Sequence, residues 1–338
     1  MEKIVAVVGA GLIGRAWSMV FARAGWRVRL YDSSGAQLAA ARTFIADSLD
    51  EQAALGLVDD AAAARARVES TSDLRAALEG VDWVQENLPE VVELKREVFA
   101  KLDAYAPETA TLASSTSAIP ASRFTEALAG RQRCLVAHPV NPPHLVPVVE
   151  LCGAPWTAPA TIERAWSVYT SIGQVPVLVR RELDGFILNR LQGALLTEAM
   201  RLVGEGYVSP GDLDKTLRDG LGLRWSFMGP FETIALNAPG GVADYCARYS
   251  AFYRRLAQDP PSASVWDERN ASAVAGMLGE AGSDAERNDR TRWRDRRLMA
   301  LAAHKKRQSA TVPHPDGLLA EQVANDNSVT SAEPTQDA

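Results

Sequence analysis

The chain has 338 residues, 47% hydrophobic and 23% charged, a balance that suits about two soluble domains with sizeable cores. No apolar run nears the roughly 18 residues of a membrane span, and Met1-Glu2-Lys3-Ile4 leads straight into a strand pattern, so neither a membrane segment nor a secretory leader is expected. Net charge is −6, but five acids and no base fall from Ser309 onward, so the remainder is nearly neutral and lacks the basic surplus of a nucleic-acid binder.

Apolar, β-branched Ile4–Val8 reads as a strand and ends in Gly9-Ala10-Gly11-Leu12-Ile13-Gly14, with helical character over Leu12–Ala24. In that setting Gly9 permits a tight turn, Gly11 leaves the backbone open to a pyrophosphate, and Gly14 lets helix and strand pack closely. A second strand, Val28–Tyr31, ends at Asp32, where an acid accepts from ribose hydroxyls and repels a 2′-phosphate. No Arg or Lys follows in Ser33-Ser34-Gly35, so NAD is expected rather than NADP. Strand patterns then recur at Val68–Ser70, Val81–Val84, Thr109–Ala113 and Cys134–Ala137, with helical stretches at Gln37–Ala66 and Val91–Tyr105 between them. This rhythm predicts an α/β domain with a doubly wound, mainly parallel sheet over residues 1–184.

Two of the later strands end in chemistry. Hydroxyls in Ser114-Ser115-Thr116-Ser117 follow one, and they either bind substrate or cap a helix near Ala121. His138 follows the other, at the carboxyl end of the sheet, where open α/β folds hold their ligands. Glu150 is the one acid in the apolar run Val146–Leu151, across a proline-rich turn from His138. A carboxylate there is costly to bury without a partner, and pairing with His138 fixes the imidazole tautomer that a general base in alcohol oxidation needs.

After about Gly185 the strand patterns stop, and apolar spacing turns helical from Phe186–Gly206 onward, with Ser209-Pro210-Gly211-Asp212 as a helix start. Asn189 interrupts the first of these helices, with Gly193 one turn on. Its amide serves either a substrate oxygen or an interhelical hydrogen bond. An all-helical domain over 185–308 is expected, followed by a disordered tail over 309–338, which is rich in Pro, Asn, Ser, Thr and Asp. Cys134, Cys152 and Cys246 are scattered and match neither a disulfide framework nor a zinc spacing, so no metal and a reducing, cytoplasmic setting are expected.

The glycine loop, Asp32, Ala113–Ser117, His138-Pro139-Val140-Asn141-Pro142, Glu150 and Gly185–Arg190 together resemble the 3-hydroxyacyl-CoA dehydrogenase family, over roughly residues 3–307. The resemblance implies a Rossmann-type domain binding NAD, a helical substrate domain, a homodimer, and a small-molecule hydroxy acid as partner. It implies His138 as general base, Glu150 as its orienting acid, and Ser117 and Asn189 around the reacting oxygen. For the cofactor it implies Leu12 and Ile13 on the pyrophosphate turn, Asp32 at the ribose, Glu90 and Lys95 in contact, and Asn141 beside the nicotinamide. The phrases Ala137–Pro143, Gly220–Glu232 and Trp293-Arg294-Asp295 are closer to one branch of that family. That likeness makes L-gulonate, oxidised at its 3-hydroxyl, the leading expectation. Within the second phrase Arg224 departs from the acyl-CoA pattern. It either clamps the carboxylate of a free acid in a bidentate fork or makes a surface or interdomain salt bridge. L-carnitine, a short 3-hydroxyacyl-CoA, and a non-catalytic NAD-binding role are the alternatives.

Overall fold

A computed structural model of the protein describes residues 2–279 and 282–311. Eight strands, β1 (Ile4–Val8), β2 (Arg27–Tyr31), β3 (Val68–Thr71), β4 (Trp83–Glu86), β5 (Thr111–Ser114), β6 (Cys134–Pro139), β7 (Val148–Gly153) and β8 (Val175–Leu178), form one sheet. Its order is β3-β2-β1-β4-β5-β6-β7-β8. All pairs are parallel except β6 with β7. The strand order reverses between β1 and β4, which places the ligand-receiving crevice at their carboxyl ends.

Seven helices join these strands: α1 (Leu12–Arg23), α2 (Gly35–Ala54), α3 (Ala61–Ala66), α4 (Leu74–Leu78), α5 (Val92–Tyr105), α6 (Ser122–Thr125) and α7 (Pro159–Ser171). The central strands are buried on both faces, as covered parallel sheets require, and β1 accordingly reads as a continuous apolar run. Trp17, Met19, Val20 and Phe21 of α1 join β1, β2 and the aromatic side chains Trp83 and Tyr169 in the core. The expected helical stretch Gln37–Ala66 is two helices, the second begun by Asp60, whose side chain accepts from the Ala63 amide.

By contacts the chain divides into two units, Met1–Asp184 with the chain from Asn288 onward, and Gly185–Arg287. The second unit is helical: α8 (Phe186–Gly204), α9 (Pro210–Lys215), a π-helical turn Thr216–Leu221, α10 (Gly222–Trp225), α11 (Pro230–Leu236), α12 (Gly241–Leu256) and α13 (Glu268–Leu278). Ser209 caps α9 through the Asp212 amide, as its position at a helix start predicts.

The expected helical domain 185–308 therefore needs correction at its end. Helix α14 (Asp284–Thr311) returns to the sheet domain from Asn288. There Arg296 pairs with Glu51 at 2.9 Å, Lys306 donates to the Gly56 carbonyl at 3.0 Å, and Met299 and Ala303, one turn apart, are buried. The helix also runs through 309–311, which were expected to open the disordered tail; the rest of 309–338 lies outside the described residues.

Candidate active site and dinucleotide cradle

The glycine loop needs each of its three glycines for a different reason. Gly9 has φ +98°, and a side chain there would also lie 3.0 Å from the Asn87 carbonyl oxygen. A Cβ on Gly14 would fall 1.7 Å from the Gly9 carbonyl oxygen, so α1 starts this close to the loop only without one. Around Gly11 nothing lies within 4 Å of where a Cβ would point. That open space adjoins the N-terminus of α1, whose cap carries no side chain and whose first turn has no acid. A helix start leaves its first N–H groups without intrahelical partners, which suits the approach of an anion. Leu12 is exposed on this turn, and Ile13 packs against the core.

Asp32 stands at the end of β2 with Oδ2 accepting from the Ala10 amide and Oδ1 from the Ser34 amide, both at 2.9 Å. The carboxylate thus ties the glycine loop to the next turn, and each oxygen retains a second acceptor site for a ribose hydroxyl. Open approach at Gly11 and this acid at the end of β2 together fit a dinucleotide without a 2′-phosphate.

Glu90 and Ser117, from different loops, are brought together. Glu90 Oε1 accepts from the amides of Ser117, Ala118 and Ile119 at 3.1, 2.9 and 3.2 Å, and from the Thr116 hydroxyl. Glu90 therefore holds the loop that carries Ser117. Lys95 is buried on α5 and gives its ammonium to Glu86 and the Leu88 carbonyl. Asn141 is exposed in the turn between β6 and β7, ahead of a cis peptide bond to Pro142.

His138 and Glu150 are direct partners across the antiparallel β6–β7 pair. The imidazole Nδ1 is 2.7 Å from Glu150 Oε2, and both side chains are buried. An ionised carboxylate only accepts, so in this contact Nδ1 carries the proton and Nε2 is the nitrogen turned away from Glu150. The cysteine thiols nearby are no nucleophiles: burial pushes Cys134 and Cys152 up to about 12.

Asn189 and Arg224 lie in the helical unit, on α8 and α10. Gly185 before α8 has φ +76°, and Gly193 has open space beside it, one turn after Asn189. Arg224 is exposed, follows the π-helical turn, and lies within electrostatic reach of the Tyr245 hydroxyl. Among the described residues no ion pair of Arg224 is found. No group of three or more potential metal ligands occurs among the described residues, and no helix there is long and apolar enough to cross a membrane.

Sequence reasoning passed over Gln85, Glu86 and Asn87. Glu86 anchors Lys95, Ser114 and the Leu88 amide on one face of β4, while Gln85 and Asn87 bond to Ser115. Three consecutive polar residues closing an apolar strand were the available signal.

Comparison with known proteins identifies the family. The NAD-binding domain model of 3-hydroxyacyl-CoA dehydrogenase matches residues 4–183, and that family's C-terminal domain model matches 185–276. A lambda-crystallin homolog from Bos taurus is 45% identical over 303 residues, 88% of this chain and 94% of that protein. An L-carnitine dehydrogenase from a Pseudomonas species is 34% identical, over 88% of this chain and 92% of that one. Among solved structures, 5-formyl-3-hydroxy-2-methylpyridine 4-carboxylic acid 5-dehydrogenase, an NAD+-dependent dismutase, superposes with a TM-score of 0.79 at 28% identity. It covers 93% of this chain and 100% of its own.

Proposed function

This chain belongs to the 3-hydroxyacyl-CoA dehydrogenase family and is an NAD-dependent oxidoreductase, and from that premise we propose that it oxidises the 3-hydroxyl of a small polar hydroxy acid, L-gulonate to 3-dehydro-L-gulonate. The observation that carries the reading is the buried His138–Glu150 pair at 2.7 Å, at the carboxyl end of the sheet. A protein that only binds NAD has no use for a buried base held in one tautomer.

Glycine-loop amides and Asp32 hold the dinucleotide, which when bound accepts hydride from the carbinol carbon. His138 Nε2 removes the hydroxyl proton as the carbon–hydrogen bond breaks. Glu150 holds the Nδ1 proton and stabilises the imidazolium that forms. The family resemblance assigns Ser117 and Asn189 to hydrogen bonds with the reacting oxygen, and Asn141 would contact the nicotinamide. Glu90 places Ser117 by gathering the amides of its loop.

Arg224 supports an acid over a thioester: an exposed guanidinium with no ion-pair partner among the described residues suits a bidentate grip on a carboxylate. Likeness of Ala137–Pro143 and Gly220–Glu232 to the gulonate-oxidising branch selects L-gulonate among such acids. L-carnitine is the second reading, favoured by the 34% identical carnitine dehydrogenase and by Trp225, Phe227 and Phe231, aromatic faces available to a quaternary ammonium.

The protein works as a homodimer in the cytoplasm. Helix α12 has no buried residue although Tyr249, Phe252, Tyr253 and Leu256 all lie on it, and a second copy would cover them. Following NADH absorbance with L-gulonate, L-carnitine, 3-hydroxybutyrate and 3-hydroxybutyryl-CoA tests the substrate. The highest kcat/KM is expected with L-gulonate, and turnover of the thioester alone would overturn the proposal.

A further inference from the structure

Behind the glycine loop, a run of neutral polar groups crosses the sheet with its hydrogen-bond directions fixed. Trp17 Nε1 donates to Ser115 Oγ at 3.0 Å, and Gln85 Nε2 donates to the same oxygen at 2.8 Å. With both acceptor sites of Ser115 Oγ taken, its own proton goes to Asn87 Oδ1, 2.7 Å away. The Gln85 amide is turned the same way from its other end, where Oε1 accepts from Trp83 Nε1 at 3.3 Å and from the Tyr169 hydroxyl at 2.5 Å. Burial pushes the Tyr169 phenol well above its ordinary range and keeps it a donor. Indole nitrogens never accept, so the sequence of donors and acceptors has one direction only.

That direction ends on Asn87. Its oxygen is engaged by Ser115, so Nδ2 is turned to the carbonyls of Gln85 at 2.8 Å and Val8 at 3.4 Å. The Val8 carbonyl also accepts from the Asn87 backbone amide at 2.8 Å. Val8 directly precedes Gly9. The Asn87 carbonyl oxygen lies 3.0 Å from where a Gly9 Cβ would stand, and its Nδ2 3.5 Å from where a Gly14 Cβ would stand. The glycine loop thus rests on one asparagine whose amide orientation is set two residues away across the sheet.

We propose that Asn87, oriented through Ser115 by the donor-only indoles of Trp17 and Trp83, is a positioning residue for the dinucleotide, fixing the glycine loop where its amides meet the pyrophosphate. It acts through the loop and not on the reacting atoms. The inference needs only NAD binding, and the identity of the hydroxy acid does not enter it.

The test is titration of the full chain with NAD and with ADP-ribose, followed by calorimetry, which requires no substrate. Ser115→Ala is expected to raise both dissociation constants about tenfold, since one buried donor is lost and Asn87 is freed to turn. Ser115→Thr keeps the hydroxyl and should restore both to within about twofold of wild type, which a general loosening of the fold would not allow. Asn87→Ala should weaken both ligands at least as much as Ser115→Ala does. Wild-type affinity in Ser115→Ala, or a loss that Ser115→Thr fails to restore, overturns the proposal. Should Ser115→Ala not fold, Asn87→Ala decides alone, and unchanged affinity there overturns it.

Discussion

The ammonium of Lys95 lies 3.0 and 3.1 Å from the two carboxylate oxygens of Glu86, and neither side chain reaches water. Ser114 Oγ at 2.5 Å and the Leu88 amide at 2.6 Å complete the carboxylate's shell. This pair ties α5 to the end of β4, beneath the loop that leads to Glu90. Removing one partner of such a pair strands the other charge, a cost of about 3–5 kcal/mol. Lys95→Met should accordingly lower stability by that order in urea unfolding, and adding Glu86→Leu should recover part of the loss. If Lys95→Met unfolds like wild type but no longer binds NAD, Lys95 is a cofactor ligand and not a strut.

The 2.7 Å contact of His138 with Glu150 makes two substitutions informative together. His138→Gln removes the base and should lower kcat by about 10²–10⁴-fold with NAD affinity unchanged. Glu150→Gln preserves shape but can donate to Nδ1, which selects the wrong tautomer, so its kcat should fall by a similar order. Near-normal turnover in either variant, measured by NADH absorbance, would remove the acid–base assignment.

Gly11 and Gly14 differ in what surrounds them, and the same substitution separates packing from ligand binding. Open space at Gly11 predicts that Gly11→Ala folds and melts like wild type, while its methyl group obstructs the pyrophosphate and NAD affinity drops at least about tenfold. At Gly14 a methyl group would meet the Gly9 carbonyl oxygen at 1.7 Å, so Gly14→Ala should lower the melting temperature even without ligand. Equal melting temperatures for the two variants would contradict this division.

His144 is buried among cations. Burial first, then Arg23, Arg15 and Arg294, lowers its pKa from 6.5 to about 3. Its Nδ1 has no hydrogen-bond partner, and Phe44 meets the ring edge-on at 6.2 Å. Between those two values the unfolded chain takes up a proton that the folded chain refuses, so stability is lost as pH falls. The slope approaches about 1.4 kcal/mol per pH unit for this one group. Urea unfolding of His144→Gln should show a shallower loss of stability from pH 6.5 to 4.5 than wild type. Parallel curves for the two proteins would refute the assignment to His144.

Arg224 sits on exposed α10 behind a π-helical turn, a feature often found at functional sites. As a carboxylate clamp, it loses its fork when replaced by lysine, which retains charge but not bidentate geometry. Arg224→Lys should raise KM for the hydroxy acid about tenfold or more and leave the NAD dissociation constant alone. An unchanged KM would assign recognition of the acid elsewhere.

The strand–helix alternation, the glycine loop and Asp32 were all legible in the amino-acid order, because each is written in spacings of a few residues. Apolar runs mark covered parallel strands, and periodicities of three to four mark the helices that cover them. The strand β8 escaped notice because it is short, carries Pro176 and lies at the sheet edge, where a proline is tolerated and burial is partial. What lay beyond local spacing was decided by pairing between distant segments. Only the antiparallel register of β6 with β7 brings His138 opposite Glu150, and only the alternating faces of β4 send Glu86 to Lys95 and Gln85 to Ser115. The return of α14 to the sheet domain buries Met299 and Ala303 and brings Arg296 to Glu51, contacts that helical periodicity cannot foretell. Periodicity records which face of a segment seeks burial. The partner it is buried against is chosen by the whole chain's packing, where the free energy of each face depends on residues far away in sequence.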